Sequence, residues 1–145
     1  MGKTEQALAW LNTQQEEILK LFEEIVNIDS NSYDKEGIIN VFNHLETFFS
    51  QFDLQIERHH HEGICNAISV HIPAATANST MKPILFMGHC DTVYPKGETL
   101  KRPFKIIDDL AYGPGVADMK AGIVMNAFIL AAYARVGGTH APLYG

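Results

Sequence analysis

The sequence predicts an α/β fold, on three observations. Apolar residues recur at three and four through much of the first fifty positions, the period of an amphipathic helix. The period then shortens to two, which is that of a strand with one covered face. "PILFMG", residues 83–88, is an unbroken apolar run of the kind carried by a strand covered on both faces.

Taken in order, Leu8, Leu11, Ile18, Phe22 and Ile25 fall mostly at helical intervals, with Glu16, Glu17, Glu23 and Glu24 opposite, and predict one long amphipathic helix. "DSNSYDKEG", residues 29–37, supplies turn and N-cap chemistry. Ile38, Val41, Phe42, Leu45, Phe48, Phe49 and Phe52 then predict a second helix. Leu54 and Ile56 mark one strand, and Ile64, Ile68, Val70 and Ile72 a second. After the loop "PAATANSTMK" and the apolar strand, "FKIIDDLAYG" reads as a hairpin turning at Asp108-Asp109. "MKAGIVMNAFILAAYARV" is an apolar helix closed by Gly137-Gly138, and "THAPLYG" opens another connection or strand.

A chain of 145 residues that is 46% hydrophobic can bury one core, and no linker, repeat or biased tract divides residues 1–145. The net charge of −6, without a dense Lys/Arg run, argues against nucleic acid as a partner, because phosphate binding needs a concentrated positive field. No apolar run approaching a membrane span is expected, and "MGKTEQALAW" carries neither a signal core nor a myristoylation motif. The expectation is a cytoplasmic protein with no membrane partner. Cys65 and Cys90 are too few and too unpatterned for a disulfide framework and are expected to be free thiols.

The chemistry concentrates in two stretches. "AYGPGVADMKAG", residues 111–122, is glycine-rich, but a dinucleotide fingerprint needs glycine where Asp118 stands and a strand where a hairpin precedes it. A carboxylate there would repel a pyrophosphate. Asp118 is then either the cap of the following helix or a ligand presented on a tight turn. "GHCDTVYPKG", residues 88–97, puts His89 and Asp91 at the C-terminal end of the apolar strand, where open α/β sheets place their sites. Residues two apart in an extended segment share a side, and a metal-ligating histidine commonly donates its other N–H to a carboxylate. The plainer alternative is a histidine bonded to its neighbour for local structure. Cys90, between them, is turned away by the pleat and is no nucleophile. His59, His60 and His61, followed by Glu62, point alternately to opposite faces and read as a solvated strand end rather than a metal cluster. His44 and His71 read as structural.

With both motifs in place, the sequence resembles the M20 family of co-catalytic metallopeptidases, which includes glutamate carboxypeptidases, aminoacylases, acetylornithine deacetylase and succinyl-diaminopimelate desuccinylase. The resemblance spans nearly the whole chain. It implies a three-layer αβα zinc-peptidase catalytic domain with a mostly parallel central sheet, of which residues 1–145 would be the N-terminal part, truncated and without the lid or dimerisation domain. It implies that His89 ligates one zinc ion, that Asp91 orients His89 as a catalytic group, and that Asp118 bridges two zinc ions, with a cis peptide at Asp118-Met119. Cobalt and manganese are substitutes for zinc. The family's general base and remaining ligands would lie beyond Gly145, so this chain alone is expected to be inactive, with an apolar sheet edge and poor solubility. The implied activity is hydrolysis of an amide bond in a small peptide or N-acyl amino acid by a metal-activated water, and the complete enzyme is implied to be a homodimer. "TVYPKG" and "AYGPG" are nearest the glutamate carboxypeptidase branch, which makes glutamate the released residue. The competing expectation is a non-catalytic binding or interaction module that keeps the fold without metals.

Overall fold

The computed structural model describes residues 2–52, 54–61, 66–76 and 79–145, so Glu62, Ile64 and Cys65 lie outside the described residues. Two helices, α1 (Lys3–Leu11) and α2 (Gln15–Val26), stand where the sequence predicts one. The break has a local cause. The Thr13 hydroxyl donates to the Trp10 carbonyl at 2.7 Å, and the N–H groups of Thr13 and Gln14 turn back to Trp10 and Leu11, tightening the last turn of α1. Both helices then pack against the same late helix, α5 (Ala121–Arg135).

The second predicted helix is α3 (Lys35–Phe49), started by Asp34, whose carboxylate accepts the Gly37 N–H at 3.1 Å. Strand β1 (Gln55–His59) runs antiparallel to β2 (Ala67–Ile72), with Ile56 opposite Val70. β3 (Ile84–Leu85) leads to the short helix α4 (Glu98–Lys101), and β4 (Lys105–Ile107) and β5 (Leu110–Tyr112) form the expected hairpin. Its turn falls at Asp108-Asp109, both with positive φ (49° and 63°), the backbone of the tight turn that matches strand twist. α5 is closed by Gly137 and Gly138 at φ 73° and 75°, and β6 (Leu143–Tyr144) follows.

The main sheet has the order β1-β2-β6-β3. Its parallel part is the β3–β6 pairing, and the two pairings beyond it, β6–β2 and β2–β1, are antiparallel. The core gathers on one face, where Val70, Ile72 and Leu143 of the sheet meet Ile25 of α2, Val41 and Phe42 of α3, and Val124 and Phe128 of α5. Trp10 stacks on Phe128 at 6.1 Å and Phe48 lies 4.6 Å from it, which ties α1, α3 and α5 together.

Two expectations are corrected here. "PILFMG" is not covered on both faces: its regular part is two residues long, and Ile84 and Leu85 are 48% and 63% exposed. β3 is the edge of the described sheet and pairs only with β6, so an apolar composition alone does not bury it. The expectation of no membrane-length apolar run also fails as stated, since Val116–Arg135 reaches 20 residues at mean hydropathy 1.3. Its first five residues contain non-helical backbone at Asp118 and Met119, however, and the 15-residue helix that remains is shorter than the ~20 residues a span needs and packs against α1, α2 and α3.

Candidate functional site

The segment after β3 is held extended by residues 30–32 running beside it. The Thr92 N–H donates to the Ser30 carbonyl at 2.7 Å, the Ser32 N–H to the Thr92 carbonyl at 3.1 Å, and the Ser30 hydroxyl to the Cys90 carbonyl at 2.9 Å. In an extended chain alternate residues face opposite sides, so Cys90 is buried while His89 and Asp91 emerge together. The His89 Nδ1 lies 3.1 Å from Asp91 Oδ1, and the Ser32 hydroxyl donates to Asp91 Oδ2.

Asp118 arrives from the other side on a turn that only glycine allows. Gly115 has φ 75°, and a Cβ there would come within 2.7 Å of the Thr92 methyl. The Lys120 N–H closes the turn on the Gly115 carbonyl at 2.9 Å, and the Asp118-Met119 peptide is cis. The capping alternative for Asp118 is set aside, because the first residues of α5 receive no side-chain cap and Asp118 precedes them with extended backbone. Its carboxylate is 88% exposed and places Oδ1 3.1 Å from the His89 Nε2.

The imidazole thus lies between two carboxylates. Partial burial pushes its pKa down, but the bond to Asp118 and the contacts with Asp91 outweigh this, and the net shift is upward. Beneath the site, Lys120 is fully buried and its ammonium donates to the carbonyls of Ile25 (2.7 Å) and Ile28 (2.8 Å) at the C-terminal end of α2. Burial lowers its pKa to about 8, against the opposing pull of Cys90 and Asp29. Cys90 is pushed up to about 12, mainly by burial, which keeps it a thiol and fits its reading as no nucleophile.

His89, Asp91 and Asp118, the three residues singled out by sequence, are therefore in contact as one group. The other histidines are apart from it: His59 bonds Ser69 at 2.8 Å, His44 bonds the Asn40 carbonyl, and His71 stacks on Tyr144 at 4.4 Å. Ser32 and Lys120 were not anticipated. Ser32 sits in a stretch whose composition says only turn, and a lysine opening a helix ordinarily reads as surface. A hollow of about 210 Å³ lies against the site, lined by His89, Asp118, Tyr94, Val116 and Ala117 among others. A larger, mostly apolar one of about 380 Å³ also reaches Ser32, His89 and Asp91 and extends between Phe42, Leu45, Phe49 and Leu130.

Whether this group suits a metal is a question of donors and spacing. Two ligands on one tetrahedral zinc, each bonded at about 2.0–2.1 Å, stand roughly 3.3 Å apart. His89 Nε2 and Asp118 Oδ1, at 3.1 Å, are close to that spacing. Asp91 behind His89 is the partner a ligating histidine commonly has. Among the described residues no three such side chains are arranged to hold one ion, since Asp91 lies behind the imidazole on Nδ1, so the fit is that of two donors of a larger set.

Residues 85–143, which include all three site residues, match the pattern of Peptidase family M20/M25/M40. The chain is 37% identical over 117 residues to carboxypeptidase G2 of Pseudomonas sp. (strain RS-16), a match covering 81% of this chain and 27% of that protein. Its fold is that of human carnosine dipeptidase 1 (TM-score 0.75, 14% identity, 97% of this chain and 33% of that one). The dipeptidase Dug1p of Saccharomyces cerevisiae is similar as well (TM-score 0.71, 14% identity, 99% and 34%). The chain thus spans about a quarter to a third of the length of these relatives.

Proposed function

We propose that residues 1–145 are the N-terminal part of the catalytic domain of a zinc-dependent amidohydrolase, and that His89 and Asp118 are ligands of its metal centre. The observation that carries this reading is the meeting of the His89 Nε2 with the Asp118 carboxylate while Asp91 occupies the other ring nitrogen. His89 would hold zinc through Nε2 and Asp118 through its carboxylate, whose two oxygens can serve two ions. Zinc held there supplies Lewis acidity toward an amide carbonyl and the attacking water.

The chain's own residues do the rest. Asp91 accepts the Nδ1–H of His89, which fixes the tautomer that leaves Nε2 free to ligate and raises its basicity. The turn Gly113–Gly115 and the buried Lys120 hold Asp118 toward solvent, at the edge of the hollow where a substrate would lie. A tetrahedral ion needs donors beyond this pair, so the 145-residue chain alone is expected to be inactive. Names of the relatives, a carboxypeptidase and two dipeptidases, support a peptide or N-acyl amino acid as substrate. The wording of "TVYPKG" and "AYGPG" supports glutamate as the released residue.

Equilibrium dialysis against Zn²⁺ tests the reading. The wild-type chain should retain zinc that His89→Ala and Asp118→Ala each lose. Equal retention by all three would overturn the ligand assignment and favour a metal-free binding module.

A further inference from the structure

Residues 29–32 take no part in the hydrolytic reading, yet each of them bonds the segment 90–99 that follows His89. The Asp29 carboxylate accepts the N–H groups of Gly97 (2.5 Å) and Thr99 (3.0 Å). Ser30 bonds the Cys90 carbonyl, and the Asn31 amide donates to the Tyr94 carbonyl at 3.0 Å. Ser32 makes the one contact of this set with a site side chain, through its hydroxyl to Asp91 Oδ2.

We propose that Ser32 is a positioning residue for the metal ligand His89, acting through Asp91, an inference that rests on the metal-centre reading above. A carboxylate is loosely held about its last torsion, so either oxygen of Asp91 could turn toward the imidazole. The Ser32 hydroxyl occupies Oδ2 and leaves Oδ1 for the His89 Nδ1–H. A hydrogen bond to an ionised acceptor is about twice as strong as one between neutral groups, enough to prefer one orientation. The hydroxyl is itself fixed, because the Ser32 N–H is bonded to Thr92, one residue past Asp91, and the Asp34 N–H closes the next turn on the Asn31 carbonyl at 2.7 Å. His89 and Asp91 belong to one segment and would move together. Ser32 comes from another segment and ties their pair to the packed end of α2.

Loss of a partner behind a ligating histidine costs about 10–100-fold in metal affinity, and Ser32 stands one contact further out, so about tenfold is expected. The experiment measures Zn²⁺ affinity by competition with a chromophoric chelator for wild type, Ser32→Ala and Ser32→Thr, beside thermal unfolding of the metal-free proteins. It also measures solvent exchange of the His89 Nδ1–H by nuclear magnetic resonance in the metal-free state. Ser32→Ala should weaken zinc binding about tenfold and speed the exchange while the melting temperature stays near wild type, and Ser32→Thr, which keeps the hydroxyl, should restore both. Unchanged affinity and exchange in Ser32→Ala, or equal losses in Ser32→Thr, would overturn the proposal. The exchange measurement needs no metal. If the two donors of this chain hold no zinc by themselves, the exchange comparison decides alone, and unchanged exchange in Ser32→Ala would sink the role of Ser32. Should Ser32→Ala not fold, Ser32→Cys, a weaker donor in the same place, carries the comparison.

Discussion

The Lys120 ammonium lies 2.7 Å from the Ile25 carbonyl oxygen, across 95 positions of sequence, and fastens the turn that presents Asp118 to the C-terminal end of α2. A buried charge of this kind has a cost that depends on pH. Its pKa in the fold is about 8 against an ordinary 10.5, so between these values the unfolded chain binds more protons than the folded one. Stability then rises with pH through that window, and below about pH 8 the full cost of burying the charge is present.

Chemical denaturation of wild type at pH 7.5, 9 and 10 should show this rise. Lys120→Met should flatten it, because the titrating group is gone. The variant should also be less stable at pH 7.5 by about 1–3 kcal/mol, since the carbonyls of Ile25 and Ile28 are left without their donor. A rise of the same size in Lys120→Met would assign the effect to other groups.

His89 titrates in the opposite sense. Its folded pKa lies above the ordinary 6.5, so the imidazolium stabilises the fold below that value, and this contribution is lost as pH rises through the folded pKa. The same proton competes for Nε2, the atom assigned to zinc. Zinc affinity should therefore rise with pH until His89 is neutral and then level off. Asp118→Asn, which removes the charge at Nε2, should lower the His89 midpoint, read from its ring proton shifts.

Asp91 should matter to zinc without touching it. Asp91→Asn should weaken Zn²⁺ binding about 10–100-fold while the circular dichroism of the metal-free chain is unchanged. If the affinity is unaltered, Asp91 has only a local structural role, the plainer alternative for a His-x-Asp pair.

Much of this was legible in the sequence where local chemistry decides the outcome. The Asp108-Asp109 turn, the glycine stop of α5 and the shared side of His89 and Asp91 follow from the two or three residues concerned. What was not legible depends on partners distant in the chain or on competition within one turn. The Thr13 hydroxyl broke a helix that the apolar period carries through. "PILFMG" is apolar enough for a doubly covered strand, but composition cannot say what lies against each face, and here β6 pairs one side only. Ser32 and Lys120 are polar residues in unremarkable company, and their roles rest on Asp91, Ile25 and Ile28, at separations of 59 to 95 positions.

Cys90 is placed between two site residues and yet should be chemically silent. Its thiol is buried and its pKa is pushed up to about 12, so at neutral pH the nucleophilic thiolate is essentially absent. In a Cys65→Ala background, a thiol reagent such as dithionitrobenzoate at pH 8 should leave the native chain unmodified and react fully once the chain is unfolded in denaturant. Prompt reaction of the native protein would mean that the pairing of residues 30–32 with 90–92, which turns Cys90 inward, opens readily. The same opening would release Asp91 from Ser32, so the rate of Cys90 modification should rise in any variant that loosens the ligand side of the site.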